Sequence, residues 1–352
     1  MSSSKKIQNI QGLRGIAVLL VVLAHMLPTE QKYAQFDYIL PNWLEIGGSG
    51  VDLFFLISGF VMVAVTQQAF QSKLEIQRFL YHRFTRIYPL YWFYTTAVLV
   101  VWLLFPHLIN NSQDNQVNIL ESFLLIPQNI YPLLMVAWTL IYEIYFYLIF
   151  AILLFFPKEN LLLGLAVWTV TLIGGYYFLP VDNAFVSIYF GPLVIEFIAG
   201  CLVAKFYFSQ EIRGNATIIA LVALIFWAGG YALLQPEGRG WTRVLVFGVP
   251  SVLALYAALL YEKKHAVTMP KWLCQIGDAS YSIYLSHILV LGVLGKVWQL
   301  SPLEGYADNI AALCFMFVST LIIGRLSFSL IENFIQSKVR MAEQRLLFNC
   351  KV

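Results

Sequence analysis

Charged residues are scarce in this chain. Asp, Glu, Lys and Arg make up 12% of its 352 residues, whereas hydrophobic residues make up 60%. A typical globular domain is roughly 25% charged and 45–50% apolar. A water-soluble fold of this length needs more surface charge, so the composition favours a polytopic membrane protein, in which each helical span takes about 20 apolar residues. The small net charge of +3 gives no indication of nucleic-acid binding.

Signatures of nucleotide hydrolysis and of metal catalysis are also missing. The chain contains no G-x-x-x-x-G-K-[ST] phosphate loop, so we do not expect a self-powered pump. It contains no H-E-x-x-H and no paired Cys/His spacing, so we expect no catalytic metal.

The tetrapeptide GGSG at residues 47–50 has the G-x-S-G form of intramembrane serine proteases, with Ser49 and His287 as the dyad. Four residues in a glycine-rich helix start are a weak pattern for that alternative.

Long hydrophobic runs are abundant instead. The runs are continuous and do not alternate with a two-residue period, which favours transmembrane helices over a β-barrel. We predict an all-α transmembrane bundle of about ten spans, with one domain over residues 1–335 and a short cytoplasmic tail over residues 336–352. The predicted spans are 10–28, 46–66, 87–106, 131–156, 161–179, 187–208, 216–234, 243–261, 277–298 and 308–331. The prolines expected at helix ends are Pro28, Pro41, Pro106, Pro127, Pro157, Pro180, Pro236, Pro270 and Pro302.

Basic residues are distributed unequally between the two sets of connecting segments. If the amino terminus is cytoplasmic, the outer loops hold only Lys32, Arg239 and Arg243. An excess of lysine and arginine on one side predicts that both termini are cytoplasmic. The inner segments hold Lys5, Lys6, Lys73, Arg78, Arg83, Arg86, Lys158, Lys205, Arg213, Lys263, Lys264, Lys271, Lys338, Arg340, Arg345 and Lys351.

Two ionisable side chains share one face of the first predicted span. Arg14 and His25 are eleven residues apart, and eleven steps of about 100° return to the same face of a helix. Their separation along the axis is roughly 16 Å, about half of the hydrocarbon thickness. Arg14 suits an anionic group arriving from the cytoplasm, and His25 suits proton transfer. The alternatives are a snorkelling anchor for Arg14 and a helix-packing histidine for His25.

Other spans contain further ionisable residues, which by default mark a pathway or a site. Asp52 is expected at a depth similar to that of His25, where its carboxylate would hold the imidazole in one tautomer, or it complements a helix dipole. Glu143 is either a buried acid, base or acceptor, or a satisfied interhelical contact. His287 shares a face with Tyr284, in a stripe that fits either substrate contact or ordinary packing.

A basic segment precedes the third predicted span. Arg83 and Arg86 are three residues apart and lie on one face where a helix begins. They form a basic patch that sets topology, or they clamp the phosphates of a cytoplasmic cofactor, because guanidinium groups match phosphate oxygens. Composition does not separate these two interpretations.

Five segments, in order along the chain, resemble the motifs of the acyltransferase-3 family, bacterial membrane proteins that O-acylate carbohydrates. IQGLRGIAVLLVVLAH is similar to the opening signature, with its arginine and histidine at Arg14 and His25. GVDLFFLISGF resembles the second-span motif, and HRFTRIYPLYW resembles the arginine-x-x-arginine segment, here Arg83 and Arg86. AWTLIYEIYFYL resembles the tryptophan-serine-leucine-x-x-glutamate block, and SYSIYLSH resembles the late tyrosine-and-histidine block.

The resemblance implies acyl-CoA, usually acetyl-CoA, as a cytoplasmic donor and a cell-surface glycan or its lipid-linked precursor as acceptor. It implies a bacterial inner-membrane protein, in contact with membrane lipid and with polysaccharide synthesis or export machinery. His25 would act as general base on the sugar hydroxyl or, in a two-step relay, carry the acyl group. The predicted catalytic residues are His25, Asp52 and Glu143, the donor-binding residues are Arg14, Arg83 and Arg86, and the acceptor-binding residues are Trp138, Tyr284 and His287.

The chain departs from the family pattern at several positions. Thr139 stands in place of the commoner serine, and Ile144 and Tyr145 stand in place of a second acid and a glutamine, which resembles the exopolysaccharide-modifying branch. Glu332 is followed by Asn333 instead of proline, so no role is assigned to that end.

A proton-coupled transporter or flippase of a lipid-linked sugar or acyl carrier is the alternative function. Glu143 and Glu196, each within a predicted span, would serve such a carrier. Against it, the two halves of the chain show no mirrored spans broken by glycine or proline, the usual indication of a transporter. Consumption of acyl-CoA in the presence of a glycan distinguishes the two functions.

Overall fold

The computed structural model describes residues 7–35, 37–110, 113–180, 182–209, 212–234, 238–266, 268–302 and 305–349. These residues form helices and connecting segments without a β-strand, which confirms the all-α prediction. Pro236, Lys5, Lys6 and Lys351, used above to predict boundaries and orientation, lie outside the described residues, as do the side chains of Arg340 and Arg345.

Fifteen α-helices follow one another along the described chain. Two five-residue π segments, Val244–Gly248 and Phe328–Glu332, join α10 to α11 and α14 to α15. The helices are α1 (Gln8–Tyr33), α2 (Gly50–Val65), α3 (Lys73–Leu104), α4 (Ile119–Leu124), α5 (Trp138–Leu153), α6 (Leu161–Phe178), α7 (Ala184–Tyr189), α8 (Val194–Phe208), α9 (Ala216–Leu234), α10 (Trp241–Arg243), α11 (Val249–His265), α12 (Lys271–Asp278), α13 (Ser280–Gln299), α14 (Tyr306–Ser327) and α15 (Asn333–Asn349).

Ten helical segments of the described chain are long and apolar enough to cross a membrane. Their number confirms the prediction from the apolar runs. The segments are Gln8–Tyr33, Asn42–Val65, Lys73–Leu104, Met135–Leu153, Lys158–Phe178, Ala184–Phe208, Ala216–Leu234, Trp241–His265, Ser280–Gln299 and Tyr306–Val339.

Several predicted boundaries differ from the structure, and two of them concern helices that contain predicted site residues. The first span was expected to end at Pro28, but α1 continues through this proline to Tyr33. Membrane helices tolerate an internal proline because neighbouring groups satisfy the carbonyl that it frees. Arg83 and Arg86, expected in a loop at the start of a helix, lie well inside α3, which begins at Lys73. Lys, Arg, Glu and Gln are good helix formers, so a polar composition alone does not end a helix.

The described residues group into two compact units, and the chain passes between them within α1, α3 and α5 and again after Leu40 and after Asp278. The prediction of one domain over residues 1–335 stays a prediction. The first unit takes its described residues from Met1–Ala24, Pro41–Ile76 and Tyr145–Asp278. The second unit takes its described residues from His25–Leu40, Gln77–Ile144 and Ala279–Val352.

In the first unit, helices α2 and α8 touch through their backbones. A Cβ atom on Gly59 would lie 2.0 Å from the carbonyl oxygen of Phe197, and one on Gly200 would lie 2.0 Å from that of Leu56. A Cβ atom on Gly50 would similarly lie 2.2 Å from a carbonyl of α1. Small residues let membrane helices approach this closely. Gly50 and Gly59 therefore let α2 pack closely against α1 and α8.

In the second unit, α13 is held between α3 and α14. A Cβ atom on Gly324 of α14 would lie 2.5 Å from Cγ1 of Ile283, so these two helices are also closely packed. On the other side, the hydroxyl of Tyr281 donates to the carbonyl of Ile87 in α3 at 2.8 Å. Helix α13, which contains the late tyrosine-and-histidine block, is therefore fixed by both neighbours.

Candidate functional site

Most of the predicted site residues lie in one unit. Arg14 and Asp52 belong to the first unit. Arg14 is half-buried on α1, and the same helix also contains His25. The seven predicted site residues of the second unit are His25, Arg83, Arg86, Trp138, Glu143, Tyr284 and His287.

Two histidines of the second unit form a pair. His25 is half-buried on α1, and His287 is fully buried on α13. Their ring centroids are 4.9 Å apart, with the rings inclined at 70°. The motifs placed these imidazoles in separate blocks with separate roles, and the structure brings them together. Two adjacent imidazoles can accept, hold and return a proton, which suits general acid–base chemistry.

Tyr284 and the tryptophan-containing block meet beside this pair. The Tyr284 hydroxyl donates to the carbonyl oxygen of Val136 at 2.9 Å and lies 2.8 Å from the hydroxyl of Thr139. The threonine that replaces the family's serine thus keeps a hydroxyl at this contact. Next to it, the Trp138 ring packs edge-on against Tyr142 at 5.9 Å between centroids. The hydrogen bonds of the Tyr284 hydroxyl tie α13 to the start of α5.

Arg86 forms a buried ion pair in the second unit. Its Nη1 lies 2.6 Å from Oε1 of Glu332, a side chain that is only 2% exposed. The same carboxylate accepts from Ser282 Oγ at 2.6 Å and from Gln336 Nε2 at 3.1 Å. The Arg86 guanidinium also lies 5.7 Å from the ring centre of Tyr281. One face of the predicted phosphate clamp is therefore occupied by a carboxylate. The sequence analysis assigned no role to Glu332. The available signal was the position of this acidic residue directly after the tenth predicted span.

Arg83 and Glu143 are two other predicted site residues of the second unit, on α3 and α5. Arg83, one turn before Arg86 on α3, is half-buried, with its guanidinium 6.0 Å from the ring centre of Phe79. Glu143 is half-buried on α5 and close enough to Tyr281 to act on it electrostatically. Glu143 and the Arg86 pair thus belong to one polar network, which includes Tyr281.

Asp52 forms the buried ion pair of the first unit, and its partner is Arg243. Arg243 donates from Nη2 to Oδ2 of Asp52 at 2.6 Å, from Nε to Oδ1 at 3.1 Å, and from Nη2 to the carbonyl of Gly48 at 2.8 Å. Arg243 is the last residue of α10, near the start of the apolar segment Trp241–His265, and its side chain is 13% exposed. The sequence prediction of an outer-loop arginine stays a prediction. The sequence analysis did not identify Arg243 as the partner of Asp52. The available signal was that a carboxylate within an apolar span needs a counter-charge.

A second carboxylate lies beside the Asp52 pair. Glu196 is 1% exposed, and its electrostatic neighbours include Asp52 and Arg243. Neither of its oxygens has a hydrogen-bond partner among the described residues. A Cβ atom on Gly248 would lie 2.7 Å from Oε1 of Glu196, so the glycine makes room for the carboxyl group. In the described residues, no three His, Cys, Asp or Glu side chains are placed to bind a metal ion.

Several known proteins are similar in sequence to most of this chain. The exopolysaccharide production protein ExoZ of Rhizobium meliloti (strain 1021) is 30% identical over 82% of this chain and 89% of that protein. The peptidoglycan O-acetyltransferase OatA of Listeria monocytogenes is 25% identical over 94% of this chain, which spans only 56% of that protein. The O-acetyltransferase OatA of Staphylococcus aureus (strain NCTC 8325 / PS 47) is 25% identical over 96% of this chain and 58% of that protein. No solved structure shows significant similarity to the chain.

A family model confirms the resemblance seen in the motifs. The acyltransferase-3 model, described as an acyltransferase domain, matches residues 7–326. The match includes all nine predicted site residues and nearly the whole helical bundle. The chain therefore belongs to the acyltransferase-3 family and is an acyltransferase.

Proposed function

We propose that this acyltransferase is a multi-pass O-acetyltransferase of the bacterial cytoplasmic membrane, with both termini in the cytoplasm. It transfers an acetyl group from cytoplasmic acetyl-CoA to a hydroxyl of a cell-surface glycan or exopolysaccharide, or of its lipid-linked precursor. The relatives, an exopolysaccharide production protein and a peptidoglycan O-acetyltransferase, support this substrate class. The observation that carries the proposal is the imidazole pair of His25 and His287, 4.9 Å apart between ring centroids.

In the proposed reaction, His25 is the general base. Its imidazole takes the proton of the sugar hydroxyl while the hydroxyl oxygen attacks the thioester carbonyl carbon. The new C–O bond forms, the C–S bond breaks, and the sulfur leaves with the electron pair and takes up the proton from the imidazole. General acid–base catalysis of this kind typically contributes 10²–10⁴ in rate. In the alternative two-step relay, His25 itself carries the acetyl group between the two substrates.

The donor-binding roles of the three arginines rest on charge. Coenzyme A carries several phosphate charges at its nucleotide end, and arginine pairs with phosphate oxygens in two-point contacts. All three arginines are half-buried, and Arg86 also gives Nη1 to Glu332.

The remaining predicted residues support the reaction in this proposal. Glu143, in the network with Tyr281, is assigned the role of an acid or acceptor. Trp138 and Tyr284, at the contact of α5 and α13, shape the acceptor side of the site. The role predicted for Asp52, holding the imidazole of His25, stays a prediction, and the partner that its carboxylate contacts is Arg243.

The decisive experiment measures transfer of radiolabelled acetyl from acetyl-CoA by purified protein in detergent. The acceptor is surface polysaccharide from a strain that lacks the gene. His25→Ala is expected to fold and insert normally and to lose at least about 100-fold in rate. The matched control is His107→Ala, which removes an exposed histidine. Full activity of His25→Ala contradicts the catalytic assignment.

Two further measurements divide the proposal into parts. Arg83→Ala should raise the KM for acetyl-CoA, whereas the exposed arginine removed in Arg213→Ala should leave it unchanged. Label bound to the wild-type protein but not to His25→Ala, in the absence of acceptor, would favour the two-step relay. If the wild-type protein consumes no acetyl-CoA and instead moves a lipid-linked sugar across vesicles, the transporter function replaces the proposed one.

A further inference from the structure

The tautomer of one imidazole follows from its hydrogen bond. Nδ1 of His287 lies 2.6 Å from the carbonyl oxygen of Tyr284, one turn earlier on α13. A carbonyl oxygen can only accept, so Nδ1 has to carry the hydrogen. The neutral ring then has its lone pair on Nε2, which is available as a hydrogen-bond acceptor.

That acceptor has no donor in the described part of the protein. Nε2 of His287 is buried and makes no hydrogen bond with any described residue. The side chain as a whole is fully buried, and its ring packs against that of His25. Buried polar atoms in native proteins are nearly always hydrogen-bonded, so an orphaned one requires an explanation. A donor supplied by a substrate gives that explanation at this position.

The polar groups next to His287 on α13 are less available for a hydrogen bond to the substrate. The hydroxyl of Tyr284 already bonds to Val136 and lies within hydrogen-bond distance of Thr139. Ser286, beside His287 on the same helix, donates back to the carbonyl of Ile283 at 3.3 Å. In the described residues, Nε2 of His287 is thus a buried polar atom of the predicted acceptor site that has no hydrogen-bond partner.

We propose that Nε2 of His287 accepts a hydrogen bond from a hydroxyl of the acceptor sugar, adjacent to the hydroxyl that His25 deprotonates. This inference rests on the proposed function and names a specificity-determining atom within it. Two neighbouring hydroxyls of one sugar would each meet one of the paired imidazoles. A site built to hydrogen-bond a substrate hydroxyl discriminates strongly against an analogue that lacks it. The enzyme therefore selects sugars with a free hydroxyl next to the acylation position.

Two isosteric substitutions separate this role from a purely structural one. His287→Asn places an amide near Nδ1, so it keeps a donor for the Tyr284 carbonyl and removes the acceptor at Nε2. His287→Gln places an amide near Nε2 and gives up the bond to that carbonyl. We expect His287→Asn to raise the KM for the polysaccharide acceptor about fivefold to tenfold, with the KM for acetyl-CoA unchanged. His287→Gln should show a smaller increase.

Each alternative result has a definite meaning in this experiment. A wild-type acceptor KM for His287→Asn, together with a damaged His287→Gln, indicates a structural histidine and overturns the inference. A rise confined to the KM for acetyl-CoA means that an amide of the pantetheine arm bonds to Nε2, which also overturns it. In both cases the wild-type protein still transfers acetyl groups, so the proposed function survives. Absence of wild-type transfer would contradict the proposed function itself.

A measurement on the unaltered protein covers the case in which a variant does not fold. Protein with ¹⁵N-labelled histidine is titrated separately with the same polysaccharide and with acetyl-CoA. We expect the Nε2 resonance of His287, assigned by comparison with His287→Gln or His25→Ala samples, to move with the polysaccharide and not with acetyl-CoA. If the chemical shift of the Nε2 resonance does not change at a saturating concentration of the polysaccharide, the inference is overturned.

Discussion

In the described residues, Glu332 of the second unit and Asp52 of the first are buried carboxylates paired with arginine, and the two pairs are satisfied to different degrees. In the second unit, Glu332 accepts from Arg86, Ser282 and Gln336. In the first unit, Asp52 shares Arg243 with a second acid, Glu196, whose oxygens lack hydrogen-bond partners among the described residues. One carboxylate thus has several donors for one charge, whereas two carboxylates compete for a single guanidinium.

The two pairs also have a feature in common. Arg243 directly precedes the π segment Val244–Gly248, and Glu332 is the last residue of the π segment Phe328–Glu332. A π segment adds a residue to a helical turn, so it changes the direction of the side chains that follow, and such segments are frequent at functional sites. In each unit, the break in α-helical geometry coincides with a charged side chain that turns inward.

Removal of Arg243 should give the largest effect. Arg243→Ala leaves Asp52 buried without its counter-charge and beside Glu196, and breaking a buried pair in this way costs about 3–5 kcal/mol. We expect a strong fall in expression and in thermal stability in detergent, measured by fluorescence-detected size-exclusion chromatography. Arg213→Ala, the loss of an exposed arginine in the same unit, is the control and should be neutral. A stable Arg243→Ala protein would mean that the Asp52 pair contributes little to the first unit.

Neutralising Glu332 should have a smaller effect. Glu332→Gln keeps an oxygen for Ser282 and loses the charge that faces Arg86, which is 28% exposed and can be partly solvated, compared with 13% for Arg243. We expect a loss of about 2 kcal/mol, because solvent weakens such pairs. Thermal unfolding in the same detergent measures it. A loss larger than that of Arg243→Ala would reverse the order of the two pairs.

The sequence predicts the fold better than it predicts these pairs. Ten apolar runs correspond to ten helical segments, because the need to bury backbone polar groups in a bilayer acts locally. Asp52 and Arg243 are 191 positions apart in the sequence. Their pairing depends on which helices pack against each other, and the hydrophobic pattern of the sequence does not give this information. The same holds for His25 and His287, whose pairing brings two separate motifs to one place.

Loss of one donor to Glu332 should have a modest effect. Ser282→Ala removes the hydrogen bond from Oγ to Oε2 and leaves the contacts to Arg86 and Gln336 in place. A hydrogen bond to a charged group contributes about 1.5–3 kcal/mol, and the remaining donors should reduce the loss to roughly 1 kcal/mol. Unfolding of Ser282→Ala, Glu332→Ala and the double variant forms a mutant cycle, because each single variant removes the hydrogen bond. Strict additivity would show that the serine does not support the pair.

The smallest effect is expected at Glu196. Glu196→Gln keeps the shape of the side chain, including the fit against Gly248, and removes the acid that competes with Asp52 for Arg243. Glu196 is close enough to Asp52 for a hydrogen bond between the two carboxyl groups, and the glutamine amide keeps a donor there, so we expect a change within about 0.5 kcal/mol, or a slight gain in stability. Thermal unfolding of Glu196→Gln is compared directly with that of Asp52→Asn.

Asp52→Asn is the matched control because it also neutralises one buried acid next to Arg243, but that acid has two hydrogen bonds from the guanidinium. If Asp52→Asn is strongly destabilised and Glu196→Gln is not, one guanidinium balances one carboxylate, and Glu196 is not required for the stability of the pair. Equal losses would show that the two carboxylates act as one unit with Arg243. The first unit would then resemble the second, with every buried acid contributing to stability, and the contrast between the two pairs would disappear.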